Sequence, residues 1–260
     1  MLSQITPLIL TLNEEANIAR TLERLAWARD IVVVDSGSTD RTREILSRFP
    51  QVRVFERLFD FHAAQWNFGL RETGIRTDWV LAMDADYVLS KALIAELGTL
   101  SPGADVAGFR ASFVYCVEGV SLRGGIYPPV IVLYRGSRAT YVQDGHTQRV
   151  EVQGRVLELS ARIVHDDRKP VSQWLAAQAR YASLECEKLL STPFWRLSGP
   201  DRIRRLIVLA PLFMFLYCLI GRGNILDGKA GILYALQRAT AEAVLSLMLL
   251  RARLTVRDGQ

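Results

Sequence analysis

The sequence predicts an α/β fold: a mostly parallel sheet with helices on both faces, an antiparallel extension, and a C-terminal helical segment of different character. Three observations predict it. Short apolar runs alternate with stretches of helical spacing through the first hundred residues. From Val106 to Val164 the pattern becomes aromatic and β-branched runs separated by Gly, Pro and Asp-Gly. The last sixty residues carry long apolar stretches flanked by arginine.

Taken in order, Ile5–Thr11 is an apolar strand ending in a polar loop, and Asn13 is placed to cap a helix whose apolar positions are Ile18, Leu22 and Leu25. Ile31–Val34 is β-branched without polar alternation, the mark of a strand covered on both faces. Asp40 is placed to cap a helix over Arg41–Phe49, and Val52–Phe55 follows as a strand. A helix around Ala63–Glu72 leads into the strand Trp79–Met83, and Ser90 caps a helix running to Leu100. Such alternation builds βαβ units, whose ligands bind at the C-terminal ends of the strands. Ser172–Leu190 is a further helix. We expect a catalytic domain over 1–195, with a nucleotide-binding half at 1–100 and an acceptor-side half at 101–195, and a helical region at 196–260.

In that last region Leu206–Ile220 is an uncharged run preceded by Arg202, Arg204 and Arg205. It is shorter than the roughly twenty residues that span a bilayer. A glycine-rich break follows, then an amphipathic run closed by Arg251 and Arg253. Basic flanks on a short apolar run predict an element lying in the headgroup region, with a buried helix pair, a dimer interface or a spanning hairpin as alternatives.

Half of the 260 residues are hydrophobic and 23% are charged, which excludes a disordered chain. The net charge of +5 fits a nucleic-acid binder, a membrane-surface protein or an enzyme of phosphorylated substrates equally well. The basic residues are scattered except near the apolar C-terminus, which argues against nucleic acid as a partner. Cys116, Cys186 and Cys218 match no zinc spacing and read as buried thiols of a reducing compartment. The first residues read as a strand, so a cytoplasmic location without a signal peptide is expected.

The loops at three strand ends are acidic: Thr11-Leu12-Asn13-Glu14-Glu15, Asp35-Ser36-Gly37-Ser38-Thr39-Asp40, and Asp84-Ala85-Asp86. Gathered carboxylates repel unless a cation or hydrogen-bond donors satisfy them. A nucleotide offers both, through its ring N–H and ribose hydroxyls and through a divalent ion bridging carboxylate to diphosphate. Asp84-x-Asp86 after an apolar strand suits Mg2+ or Mn2+. No Gly-x-Gly-x-x-Gly follows the first strand, which argues against a dinucleotide-dependent oxidoreductase.

The runs Leu8-Ile-Leu-Thr-Leu-Asn-Glu-Glu and Ile31-Val-Val-Val-Asp-Ser-Gly-Ser-Thr-Asp, together with Asp84-Ala-Asp, resemble the family-2 glycosyltransferases of GT-A fold. The likeness is nearest to enzymes of lipopolysaccharide-core and surface-glycan assembly, and it covers roughly residues 5–190. It implies a Rossmann-like GT-A sheet, a nucleotide-diphospho-sugar donor (UDP-sugar by default) and inversion at the anomeric carbon. Carried over by position, Thr11, Asn13, Glu14, Asp35 and Ser36 line the base and ribose. Asn67, in Gln65-Trp66-Asn67-Phe68-Gly69, lies near the donor, Asp84 contacts sugar or ribose, and Asp86 holds the metal. Ser36 and Tyr87 stand where many relatives carry Asp and Glu.

Two clusters in the second half, Asp144-Gly145-His146-Thr147-Gln148 and His165-Asp166-Asp167-Arg168-Lys169, supply the remaining candidates. His165 resembles a family histidine that closes over metal or diphosphate, and Arg168 and Lys169 are placed to clamp phosphate. Thr147 replaces the family's acidic residue, so the general base is sought among Asp144 and Asp166, then Asp167 and His146. The acceptor implied is a lipid-linked glycan at the cytoplasmic face of the inner membrane. Polyprenyl phosphate as acceptor, or a nucleotide-sugar-binding module without catalysis, are the alternatives. The oligomeric state is left open.

Overall fold

The computed structural model describes residues 1–144 and 147–257. They form two compact units, Met1–Gly119 with Tyr127–Arg168, and Val120–Ile126 with Lys169–Gln260. The sequence reading drew its line at 195/196. The compact division instead sets the helix Val171–Ser191 and residues 120–126 with the C-terminal segment.

In the first unit the elements are β1 (Ile5–Thr11), α1 (Ile18–Glu23), β2 (Ile31–Asp35), α2 (Thr42–Leu46), β3 (Val52–Glu56), α3 (His62–Arg71), β4 (Trp79–Asp84), β5 (Tyr87–Leu89), α4 (Lys91–Thr99), β6 (Val106–Ala111) and β7 (Phe113–Val117). After β8 (Val120–Ser121), which belongs to the other unit, come β9 (Val130–Arg135), β10 (Ala139–Asp144), β11 (Thr147–Val152), β12 (Arg155–Glu158) and β13 (Ile163–His165). Among the described residues a seven-stranded sheet has the order β12-β6-β9-β4-β1-β2-β3. β4, β1, β2 and β3 are parallel, and β9 runs antiparallel to both β4 and β6. The expected antiparallel extension is therefore present in β9 and in the β10–β11 hairpin. β12 and β13, however, return parallel to β6 and β7.

Alternation along each strand sorts apolar residues into two cores. Ile5, Ile9, Ile31, Val33, Leu81 and Met83 pack with α1, α2 and α4, whereas Leu8, Val32, Val34, Val80 and Ala82 pack beneath α3 with Tyr134 and Tyr141. A strand buried on both faces needs this absence of polar alternation, which is why the β-branched runs were legible. Each fully buried Val, Leu or Ile contributes about 1.5–3 kcal/mol over an exposed one. Gly69 sets the seat of α3, because a Cβ there would come within 2.7 Å of Leu8 Cδ1.

Ser90 caps α4 as expected, its Oγ accepting from Leu93 N at 3.1 Å. Asp40 does not stand at the N-cap of α2, which is shorter than expected and has Arg41 there without a side-chain cap; the Asp40 carboxylate accepts from Thr42 N at 2.9 Å in the turn before it. Asn13 does not cap α1. It takes φ +56°, and its Oδ1 accepts from Thr39 N at 2.8 Å, tying the first strand-end loop to the second. An Asn tolerates this left-handed conformation better than most residues.

The second unit contains α5 (Val171–Ser191), α6 (Gly199–Arg204), α7 (Leu209–Leu216) and α8 (Gly228–Arg257), with a π-helical turn at Tyr217–Gly221 extending α7. Ala182, Cys186 and Leu189 of α5 pack with Leu245 and Leu249 of α8. A buried ionic cluster joins three helices: Arg204 Nη2 lies 3.0 Å from Glu242 Oε1, and its Nη1 lies 3.1 Å from Asp201 Oδ1 and 3.6 Å from Glu185 Oε1.

Candidate active site

The parallel register brings the acidic strand ends together. Thr11 stands opposite Asp35, and Leu10 stands opposite Asp84, so the loops after β1, β2 and β4 share the C-terminal edge of the sheet. The loops are also stitched to each other. Asn13 N donates to Ser38 Oγ at 2.9 Å, and Glu14 N donates to Thr42 Oγ1 at 2.7 Å.

Asp35 departs from its expected role. It is 0% exposed. Oδ1 accepts from Gly37 N (3.1 Å) and Ser38 N (2.9 Å), and Oδ2 accepts from the hydroxyls of Thr11 (2.8 Å) and Ser38 (2.6 Å). Its own loop fills its acceptor sites, so it shapes the loop rather than facing a ligand. Ser36 Oγ accepts from the buried Gln65 amide at 2.8 Å. Asn67 is likewise committed to structure, its amide pairing both ways with the Tyr141 backbone of β10 at 2.9 and 3.0 Å. Beside it Trp66 stacks on Tyr141 with ring centroids 5.2 Å apart. Asn67→Ala leaves a backbone N–H and C=O of β10 unmatched and is expected to cost about 1–3 kcal/mol in urea unfolding. A loss under a few tenths would contradict the role.

The end of β4 carries the third set of carboxylates. Asp84 and Asp86 flank buried Ala85, and the side chains of Asp86 and His165 are 14% and 12% exposed. His165 Nε2 lies 3.0 Å from Asp86 Oδ2. β13 supplies this histidine because Asp166 N donates to Asp86 O and His165 pairs with both Tyr87 of β5 and Tyr115 of β7. Four aromatic rings surround the imidazole edge to face: Tyr115 at 4.7 Å, Tyr127 at 4.9 Å, Tyr87 at 5.4 Å and Phe113 at 6.4 Å. Burial alone lowers the His165 pKa, but the charge and hydrogen bond of Asp86 outweigh it and raise the value above that of a free imidazole.

The hydroxyls of Tyr87 and Tyr127 meet at 2.7 Å. Desolvation first, then the charge of Asp84, pushes the Tyr87 pKa upward. Tyr127 shifts the same way, through desolvation first and then the charge of Asp84. Both stay protonated at physiological pH, which keeps hydrogen-bond donors beside Asp84. Tyr115 was not singled out from the sequence. The only signal was Phe113 and Tyr115 at strand spacing on one face.

The second cluster divides. Asp166, expected as a base, is 3% exposed and saturated. Arg20 Nη1 and Arg168 Nε donate to its Oδ2 at 2.8 and 2.9 Å, and Gly119 N donates to Oδ1 at 3.0 Å. A carboxylate so buried and so held is a structural anchor. Arg168 is thereby engaged with Asp166, although its side chain is 41% exposed. Asp167 Oδ1 accepts from Asn17 Nδ2 at 2.9 Å, and the same amide donates to Glu14 Oε2 at 2.9 Å. Buried Asn17 and half-buried Arg20, both missed in the sequence, therefore link α1 to the segment after β13. Asp144 is exposed at the end of β10 opposite Thr147, and His146 lies outside the described residues.

No group of three or more His, Cys, Asp or Glu able to hold a metal occurs among the described residues. The pair Asp86 and His165 nevertheless fits a divalent ion. Two neighbouring ligands of an octahedral ion at about 2.1 Å stand about 3.0 Å apart, and phosphate oxygens and water complete such a shell. Carboxylate and imidazole together suit Mn2+ as well as Mg2+.

The carboxylates thus cluster at the C-terminal edge of a mostly parallel sheet, the place where open α/β sheets bind their ligands. Residues 8–110 match the family model described as Glycosyl transferase family 2. It is 32% identical over 113 residues to "Lipopolysaccharide core biosynthesis glycosyltransferase LpsC" of Rhizobium meliloti (strain 1021), covering 42% of this chain and 41% of that protein. It is 36% identical over 95 residues to an uncharacterized glycosyltransferase of Rickettsia bellii (strain RML369-C), covering 36% of this chain and 31% of the relative. The matches thus span less than half of these relatives' own length. Among solved structures, glucosyl-3-phosphoglycerate synthase from Mycobacterium tuberculosis aligns at a TM-score of 0.49 and 16% identity, over 74% of this chain and 80% of that one. S. aureus TarS 1-349 aligns at 0.43 and 13%, over 99% and 92%.

Proposed function

We propose that this chain is an inverting, metal-dependent glycosyltransferase that moves a sugar from a nucleotide-diphospho-sugar, UDP-sugar by default, to a lipid-linked glycan. The reading places it at the cytoplasmic face of the inner membrane. The observation that carries it is the Asp84/Asp86 pair at the sheet edge of the segment that matches the family, with His165 of β13 brought against Asp86. The relative named for lipopolysaccharide core biosynthesis supports a glycan acceptor.

In this reading Asp86 and His165 hold Mg2+ or Mn2+. The ion supplies neutralisation of the charge that grows on the departing nucleoside diphosphate. Asp84 accepts from a ribose or sugar hydroxyl, and the protonated Tyr87 and Tyr127 hydroxyls lie near enough to feel its charge. The stitched loops after β1 and β2 form the wall against the nucleoside, with Glu14 rather than buried Asp35 offering a carboxylate. Direct displacement needs a base for the acceptor O–H. Of the carboxylates considered, Asp144 has the exposure for that task, with Asp167 behind it. The acceptor oxygen bonds to the anomeric carbon, its proton passes to the carboxylate, and the bond to the diphosphate breaks.

The experiment is nucleoside diphosphate release from a panel of nucleotide-sugars with Mn2+, using wild type and Asp144→Asn. Turnover in wild type, lowered about 100-fold or more in the variant, is the expected result. Full activity of Asp144→Asn with an ionised phosphate acceptor favours polyprenyl phosphate instead. No turnover on any donor, despite metal-dependent nucleotide binding, leaves a binding module.

A further inference from the structure

The C-terminal unit sorts its charges by depth. From 192 to 255 the charged side chains in the exposed class are all basic: Arg196, Arg202, Arg222, Lys229, Arg251 and Arg253. The acids of that stretch, Asp201, Asp227 and Glu242, have side chains no more than 11% exposed, and each is paired with an arginine of the same unit.

Hydrophobic residues are sorted in the opposite sense. Along α7 and its π-helical extension, Leu209, Leu212, Phe213, Leu216 and Ile220 recur at helical spacing and are 44–63% exposed. Ala210 and Cys218 are buried in the same segment. The segment is therefore apolar on both sides, with one side packed and the other bare. Ile225 and Leu226 extend the bare surface just beyond, and an apolar groove running from Leu212 between α7 and α8 adjoins it. Trp195 is 77% exposed, and Arg202 stands over the ring of Phe194 at 5.5 Å, the aromatic and basic pairing of a headgroup zone.

The bare face and the cations together select the occupant. A second copy of this chain would bring like-charged rims face to face, whereas an anionic leaflet is complementary to both features. α8 forms most of a helical stretch, Asn224–Thr255, that is long and apolar enough to cross a bilayer by length and composition. Glu242 sits in its middle half, though, in an ion pair with Arg204 that α6 brings to it, and the same cluster includes Asp201 and Glu185. Placing that cluster in hydrocarbon is costly, while lying in the interface leaves it in protein.

We propose that the C-terminal unit docks monotopically on an anionic lipid leaflet through the bare face of α7, its cations resting on headgroup phosphates. This deepens the membrane side of the reading above and rests on its lipid-borne acceptor for purpose. The test is sedimentation of the full chain with phosphatidylcholine vesicles and with vesicles about one-third phosphatidylglycerol. Binding to the anionic vesicles alone is expected. Leu212→Asp/Phe213→Asp should abolish it, and Arg222→Gln/Lys229→Gln should weaken it roughly tenfold or more. Equal binding to both vesicle types, or wild-type binding by both variants, overturns the proposal. So does an α7 variant whose sole effect is to split a dimer seen by light scattering. A thermal shift with UDP and Mn2+, run on the same proteins, separates the two readings. Vesicle binding without any nucleotide response rejects the proposed enzyme and leaves the docking face, and the converse rejects the docking face alone.

Discussion

Asp86→Asn is expected to lower kcat/KM for metal-dependent transfer by about three orders of magnitude, near 4 kcal/mol of transition-state stabilisation. The substitution keeps the volume of a side chain that is 14% exposed and keeps a hydrogen-bonding oxygen for His165. What it removes is the anionic ligand. An ion bound through a neutral amide and an imidazole lacks the charge that makes divalent binding worthwhile at this edge, and the leaving diphosphate then departs uncompensated. Thermal unfolding without metal should change little, because the Asp86–His165 contact is one of many around an imidazole enclosed by four rings. Steady-state kinetics across a Mn2+ series is the check. Near wild-type turnover at saturating Mn2+ would reject Asp86 as a ligand.

Asp166→Ala should act on stability instead. The carboxylate is buried between two guanidinium groups and a backbone N–H, and its loss removes the anion that Arg20 and Arg168 share. Breaking a buried pair by removing one partner costs about 3–5 kcal/mol, and the partial exposure of both arginines argues for about 3. For a chain of this size that is a fall in Tm of roughly 6–12 °C. Because Asp166 also fastens α1 to the chain after β13, the loss should loosen the segment that presents His165. Calorimetry reads the first effect. The second reading is the pH profile of kcat: a base would remove its acidic limb, whereas an anchor lowers the whole profile without moving the limb.

Which parts of this were readable beforehand follows from the range of the interactions. The strands β1, β2, β3 and β4 were legible because burial on both faces writes unbroken apolar runs, and the Ser90 cap because it acts within three residues. The convergence of the three acidic loops followed from parallel order alone. Asp35 was misjudged although its signal was local. Asp-Ser-Gly-Ser is the pattern of a side chain that accepts from N–H groups two and three residues on, and that is what Asp35 Oδ1 does. Asp166 could not have been read, because its partner Arg20 is 146 residues away. The rings about His165 come from β5, β7 and the residue Tyr127, brought together only by the pairing of β13. The placement of α5 with α8 depends likewise on Leu189 meeting Leu245 and Leu249 across the sequence, which a boundary drawn from composition does not register.

The most direct test is titration of Mn2+ followed by its free-ion spectroscopic signal, with UDP present, on wild type and Asp86→Asn. A nucleotide-dependent loss of free Mn2+ in wild type, absent in the variant, is the predicted result. Equal Mn2+ uptake by both proteins, or uptake indifferent to UDP, would contradict a diphosphate site built on Asp86 and His165.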